Sequence, residues 1–185
     1  MARTLCWSAA WEATRDGRMK ARDFIRLVAR GAAAETELAV LERILAQATT
    51  ALRTYGDPAW EREGTSLLVD AYLAGRRSSD PEVALVFSHA LTKLPLNPRA
   101  ADKLAQELES SKDAELRWLA LAALIAYDRV EVEAIAQERA RDRSATGHQF
   151  ALRAGAAVND PATKKRIWDE VVAETIAQHP GEHGA

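Results

Sequence analysis

Four histidines, one cysteine and a few closely spaced carboxylates are the residues of this 185-residue chain that could do chemistry. The histidines are His89, His148, His179 and His183. Zinc on a helix needs two imidazoles four residues apart with a glutamate beside the first, H-E-x-x-H. Both rings then leave one face, and the carboxylate serves as base. His179 and His183 have that separation, but Pro180 and Gly181 lie between them and break the helix that would align them. They read as part of a polar tail. His89, beside Phe87 and Ala90, reads as a partly buried histidine whose hydrogen bonds are met. Cys6 has no C-x-x-C partner and reads as a small buried thiol. Asp169 and Glu170 are consecutive on a helix, so they point apart and cannot share a proton. The charged run from Glu138 to Arg143 reads as a solvated helix end, its arginines near the negative pole of the helix dipole. There is no glycine-rich phosphate loop and no G-x-S-x-G elbow. The sequence therefore assigns no catalytic, cofactor-binding or metal-ligating residue to this chain.

The elements behind these residues are helices. The stretch from 116 to 127 holds Leu116, Trp118, Leu121, Leu124 and Ile125 with Arg117 as its one charge, so most of its surface must be covered. At roughly 1.5 Å per residue it is about 18 Å long, too short for a ~30 Å hydrocarbon layer. Around it, Asp57-Pro58, Asp80-Pro81, Asn97-Pro98 and Asp160-Pro161 each join a capping side chain to a proline preset for the first helical turn. They mark starts for helices near 58–76, 81–93, 98–110 and 161–178, and Asp113 caps the central helix without a proline. Apolar spacing adds helices near 3–13, 20–33 (Phe24, Leu27, Val28, Gly31), 36–55 (Leu38, Leu41, Leu45, Ala48, Leu52), 131–142 (Val132, Ile135) and 146–157 (Phe150, Ala154). Gly56 stands as a C′ residue and Ser144 as a cap. No segment alternates with period two. The predicted fold is all-α, about ten helices in antiparallel pairs forming a HEAT-like α-solenoid.

Composition bounds the function. The net charge is −2 and pI about 6.1, with no basic excess to neutralise a phosphate backbone, so nucleic acid is not expected as a partner. No membrane span or secretory leader is visible, and a single cysteine fits a reducing compartment; the expected location is the cytoplasm.

Several stretches together resemble the C-terminal region of bacterial M1-family zinc aminopeptidases, the aminopeptidase N group. They are Arg3-Thr4-Leu5-Cys6-Trp7-Ser8-Ala9-Ala10-Trp11, Thr14-Arg15-Asp16-Gly17, Ala21-Arg22-Asp23-Phe24 and Glu35-Thr36-Glu37. Leu116-Arg117-Trp118, the run Arg141-Asp142-Arg143-Ser144-Ala145-Thr146-Gly147, and Lys164 with Trp168 follow in order. The resemblance implies a helical-repeat domain over 1–179 and a polar tail over 180–185. It implies a parent that removes N-terminal residues from peptides with a zinc-bound water. Zinc and its ligands are expected upstream, so no metal residue is carried onto this chain. The implied role is a non-catalytic domain that covers the active site and shapes peptide access. Its implied partners are the upstream domains and, in the parent, the peptide substrate. A piece cut from a longer chain would expose Trp7 or Trp11 and self-associate. The rival reading is an independent helical-repeat scaffold binding a protein partner; a weaker third is a small stand-alone enzyme.

Overall fold

Short polar side chains set where half of the α-helices begin, and Asp57 does the same for the 3-10 turn Pro58–Trp60 that leads into another. In a computed structural model of the chain, Asp57 Oδ1 accepts from the Ala59 amide at 2.9 Å and Asp80 Oδ1 from Glu82 at 2.9 Å. Asn97 Oδ1 accepts from Ala100 at 2.9 Å, Asp113 Oδ1 from Leu116 at 3.0 Å, and Asp160 Oδ2 from Thr163 at 2.8 Å. Each such cap is worth about 0.5–2 kcal/mol against alanine. The structure describes the backbone of residues 2–178 and the side chains of residues 4–173 other than 167, 170 and 171.

The described residues form ten α-helices and no strand. The chain divides into two compact units, Met1–Ala100 and Ala101–Ala185. The first holds α1 (Ala2–Arg15), α2 (Ala21–Gly31), α3 (Leu38–Thr50), α4 (Glu61–Gly75) and α5 (Pro81–Leu91). In it α2 packs on α4 and α3 on α5, each helix against the one two along, which is how stacked helix pairs bury a continuous core. Phe24, Ile25, Leu41, Ile44, Leu45, Leu68, Tyr72 and Phe87 fill that core. Gly75 is needed there, because an added Cβ would sit 2.4 Å from the Phe87 ring.

The boundary between units falls within α6 (Pro98–Ser110). The second unit continues with α7 (Ala114–Ala126), α8 (Ala134–Arg141), α9 (Ala145–Ala156) and α10 (Pro161–Gln178). Here α7 packs on α9 in the same fashion, around Trp118, Leu121, Ile125 and Ala154. As expected from its apolar surface, α7 is the buried rod, while Tyr127 just beyond its end is exposed.

Several expectations are corrected. Leu27 is exposed, because the face α2 buries is set by other residues, and Val132 is exposed in the turn before α8 begins; Trp168 on α10 is 69% exposed. The helix expected over 131–142 is the shorter α8. The one expected to run to 55 ends at Thr50 and widens into a π turn, Ala51–Tyr55. Gly56 follows with φ −77°, an ordinary extended conformation and not the left-handed cap. Trp7 is buried and Trp11 half-buried, packed against Phe24 and Tyr55 within the first unit, so neither ring is the exposed one; on α1 that is Leu5. The side chains of Val171 and Ile176 in α10, and the tail over 180–185, lie outside what the structure describes.

Candidate functional site

The residues that could do chemistry are not brought together. His89 is half-buried on α5, in the first unit, and His148 is exposed on α9, in the second. Cys6 is exposed on α1, which corrects the buried thiol expected there. Its neighbour Trp7 takes the inward direction, with Thr14 two turns further along, and Cys6 is turned roughly 100° away. Asp169 is exposed and pairs with Lys165 at 2.7 Å, one turn before it on α10. His179, His183 and the Glu170 side chain lie outside the described residues. Among the described residues no three His, Cys, Asp or Glu side chains converge, so they do not fit a zinc site.

What the structure does assemble is a set of buried polar latches. In the first unit the Trp7 indole Nε1 donates to Glu35 Oε2 at 3.1 Å. Glu35 Oε1 accepts from the amides of Thr36 and Glu37 at 3.0 and 3.2 Å, three residues before α3 begins. The carboxylate is 5% exposed. Gly31 makes room for the ring: a Cβ there would lie 2.8 Å from Trp7 Cη2.

The second unit repeats the device. The Trp118 indole Nε1 donates to Asp142 Oδ2 at 2.9 Å, and Asp142 Oδ1 accepts from the Ser144 amide at 3.1 Å. Asp142 again stands three residues ahead of a helix, α9, whose first turn is capped by Ser144 Oγ accepting from Gly147 at 2.9 Å. A Cβ on Gly147 would sit 2.5 Å from Asp142 Oδ2, so only glycine fits. Hydrogen bonds from Ser144 and from the Trp118 indole hold the Asp142 carboxyl below the usual range.

Next to Trp118, Arg117 is 6% exposed on α7 and forms an ion pair with Glu138 of α8, Nε to Oε1 at 2.7 Å. Its Nη1 also donates to the Ser111 carbonyl at 3.0 Å. Arg141 approaches the other Glu138 oxygen at 3.7 Å and donates to the Leu108 carbonyl at 3.2 Å. Arg139 donates to the Asp142 carbonyl. The charged run from 138 to 143 is therefore a corner brace holding α8 to α7 and to the end of α6, and not merely a solvated helix end. Nothing local in the sequence signals this, since Glu138 lies 21 residues from its partner.

These latches can fix helices against one another; they offer no nucleophile, base or open metal position. Lys164 and Trp168 differ from them in standing exposed on α10. Among the described residues no helix is long and apolar enough to cross a membrane.

Comparison with known proteins bears on the same residues. The family described as the ERAP1-like C-terminal domain matches residues 1–179. An aminopeptidase N from Streptomyces lividans is 30% identical over 179 residues, covering 92% of this chain and 21% of that protein. The chain thus spans about a fifth of the length of the curated relative it matches.

Proposed function

The chain belongs to the family of ERAP1-like C-terminal domains, and on that premise we propose that it serves as the non-catalytic helical domain of a zinc aminopeptidase. In this reading residues 1–179 supply HEAT-like helical repeats that cover the active site of upstream domains in the cytoplasm. It limits which peptides enter and keeps bulk water from a closed site. Zinc and the groups that use it belong to those upstream domains. The observation that carries the proposal is the use made of Trp7, Glu35, Arg117, Trp118 and Asp142, residues that carry the resemblance. Trp7 with Glu35, Arg117 with Glu138, and Trp118 with Asp142 all hold helices in place. A domain that supplies shape needs such residues.

The test has two arms. The purified chain, supplied with zinc, is assayed against a leucine anilide, and the expected result is no turnover. The coding sequence upstream of residue 1 is then read for an in-frame H-E-x-x-H. If it is present, the whole enzyme is compared with a version lacking 1–179, which should lose discrimination between short and long peptides. Turnover by the chain alone, or a stop codon and promoter directly upstream, would refute the proposal; the second outcome favours the independent scaffold.

A further inference from the structure

Along the seam between α3 and α5, in the first unit, the helices leave a slot of about 210 Å³. Small side chains open it: Ala46 from α3 and Ala90 from α5 lie in its walls with Leu45 and Val86, and Thr49 and His89 add polar atoms to the lining. Opposite charges stand at its rim, Glu42 on α3 and Lys93 just after α5, and both are exposed. Among the described residues neither is engaged in an ion pair, with the other or with any third group.

The path of the chain separates the two charges. Leu52 packs near Gly64 while the Leu45 carbonyl receives the Tyr72 hydroxyl at 3.1 Å, so α3 and α4 run antiparallel. A turn over 76–80 reverses the chain again into α5, and Phe87 lies 6.0 Å from the Tyr72 ring. α3 and α5 therefore run the same way. Glu42 then lies at the Val86 end of the slot and Lys93 at the other. The α3 stripe from 42 to 49 is about 10 Å long at 1.5 Å per residue. Fully extended, the glutamate and lysine side chains would meet across that distance; drawn back toward solvent, they leave room between them for a ligand bearing both charges.

We propose that this slot binds a free α-amino acid with an aliphatic side chain. Its ammonium meets the Glu42 carboxylate and its carboxylate meets the Lys93 ammonium. Its side chain replaces water over Ala46, Ala90, Leu45 and Val86. The volume equals that of about seven liquid waters, which suits a molecule of this size. The site is separate from the proposed covering role and does not depend on it.

The test is a titration of the ¹⁵N-labelled chain with L-leucine, following the amides of Ala46 and Ala90. The expected result is a saturable shift in the millimolar range. Leucinamide, which lacks the carboxylate, and N-acetylleucine, which lacks the ammonium, should each bind at least about tenfold more weakly. Glu42→Gln and Lys93→Gln, both at exposed positions, should weaken L-leucine binding by a similar factor while leaving the helical spectrum unchanged. Ala90→Leu should fill the slot and abolish the shift. No shift up to ~50 mM, well beyond a millimolar Kd, would overturn the proposal. So would equal binding of the two analogues, or binding that survives both charge variants.

Discussion

Removing Glu138 should be among the costliest single changes to the second unit, and the reason lies in what it leaves behind. Arg117 is 6% exposed and Glu138 is 4% exposed, with 2.7 Å between Nε and Oε1. In Glu138→Leu the guanidinium stays buried with only the Ser111 carbonyl as its acceptor. Stranding one member of such a pair costs about 3–5 kcal/mol. With a urea dependence of about 2 kcal/mol per molar, the midpoint should fall by about 1.5–2.5 M. Arg117→Met should cost less, because Glu138 keeps Arg141 at 3.7 Å, a partner whose side chain is 45% exposed and so partly hydrated. The double variant Arg117→Met/Glu138→Leu removes both charges and fills the space with apolar groups. It should return to within ~1 kcal/mol of the parent, since buried pairs seldom outperform well-packed hydrophobic replacements. Urea titration by circular dichroism, with amide exchange read within α7, separates this unit from the first. A double variant as unstable as the sum of the two singles would refute the reasoning, as would Glu138→Leu with an unmoved midpoint.

Three other outcomes are expected. Gly75→Ala should destabilise the first unit by about 1–3 kcal/mol in thermal or urea unfolding, because its Cβ would meet three carbons of a Phe87 ring that is 1% exposed and has nowhere to go. The Asp142 carboxyl is held below its usual range by hydrogen bonds from Ser144 and Trp118. The stability it confers is therefore present above the unfolded value of about 4 and lost as pH falls through the lower folded value. Asp142→Asn should flatten the loss of stability on acidification, and an unchanged acid limb would contradict the hydrogen-bond reading. Burial raises the Tyr72 phenol, with a smaller opposing effect from the Thr49 hydroxyl. Its contribution to stability is complete below about 10 and declines above that, where the unfolded phenol ionises and the folded one does not. An ultraviolet titration should show the Tyr72 phenolate forming only as the first unit unfolds.

What could be read from the sequence was local. Asp57, Asp80, Asn97, Asp113, Asp160 and Ser144 announce helix starts because a cap acts within three residues, and all six accept the amide bonds expected of them. The apolar length of α7 could be read for the same reason. The missing parts were those decided at a distance. Arg117 looked like a lone charge on a buried rod, and Glu138 like one acid in a solvated run; only folding brings them to 2.7 Å. Spacing alone puts Leu27 on a buried face, but which part of an apolar stripe is covered depends on the neighbour's width. The direction of Cys6 turned on the phase of one short helix, which Trp7 settles. The slot between α3 and α5 comes from Ala46 and Ala90, residues that carry no chemical signal until two helices are laid side by side.

The two indole knots have a direction. Glu35 fastens to a tryptophan 28 residues earlier in the chain, and Asp142 to one 24 residues earlier. In both, the acid stands three residues before the helix that follows it. The start of each following helix is thereby tied to a ring that precedes it in the chain.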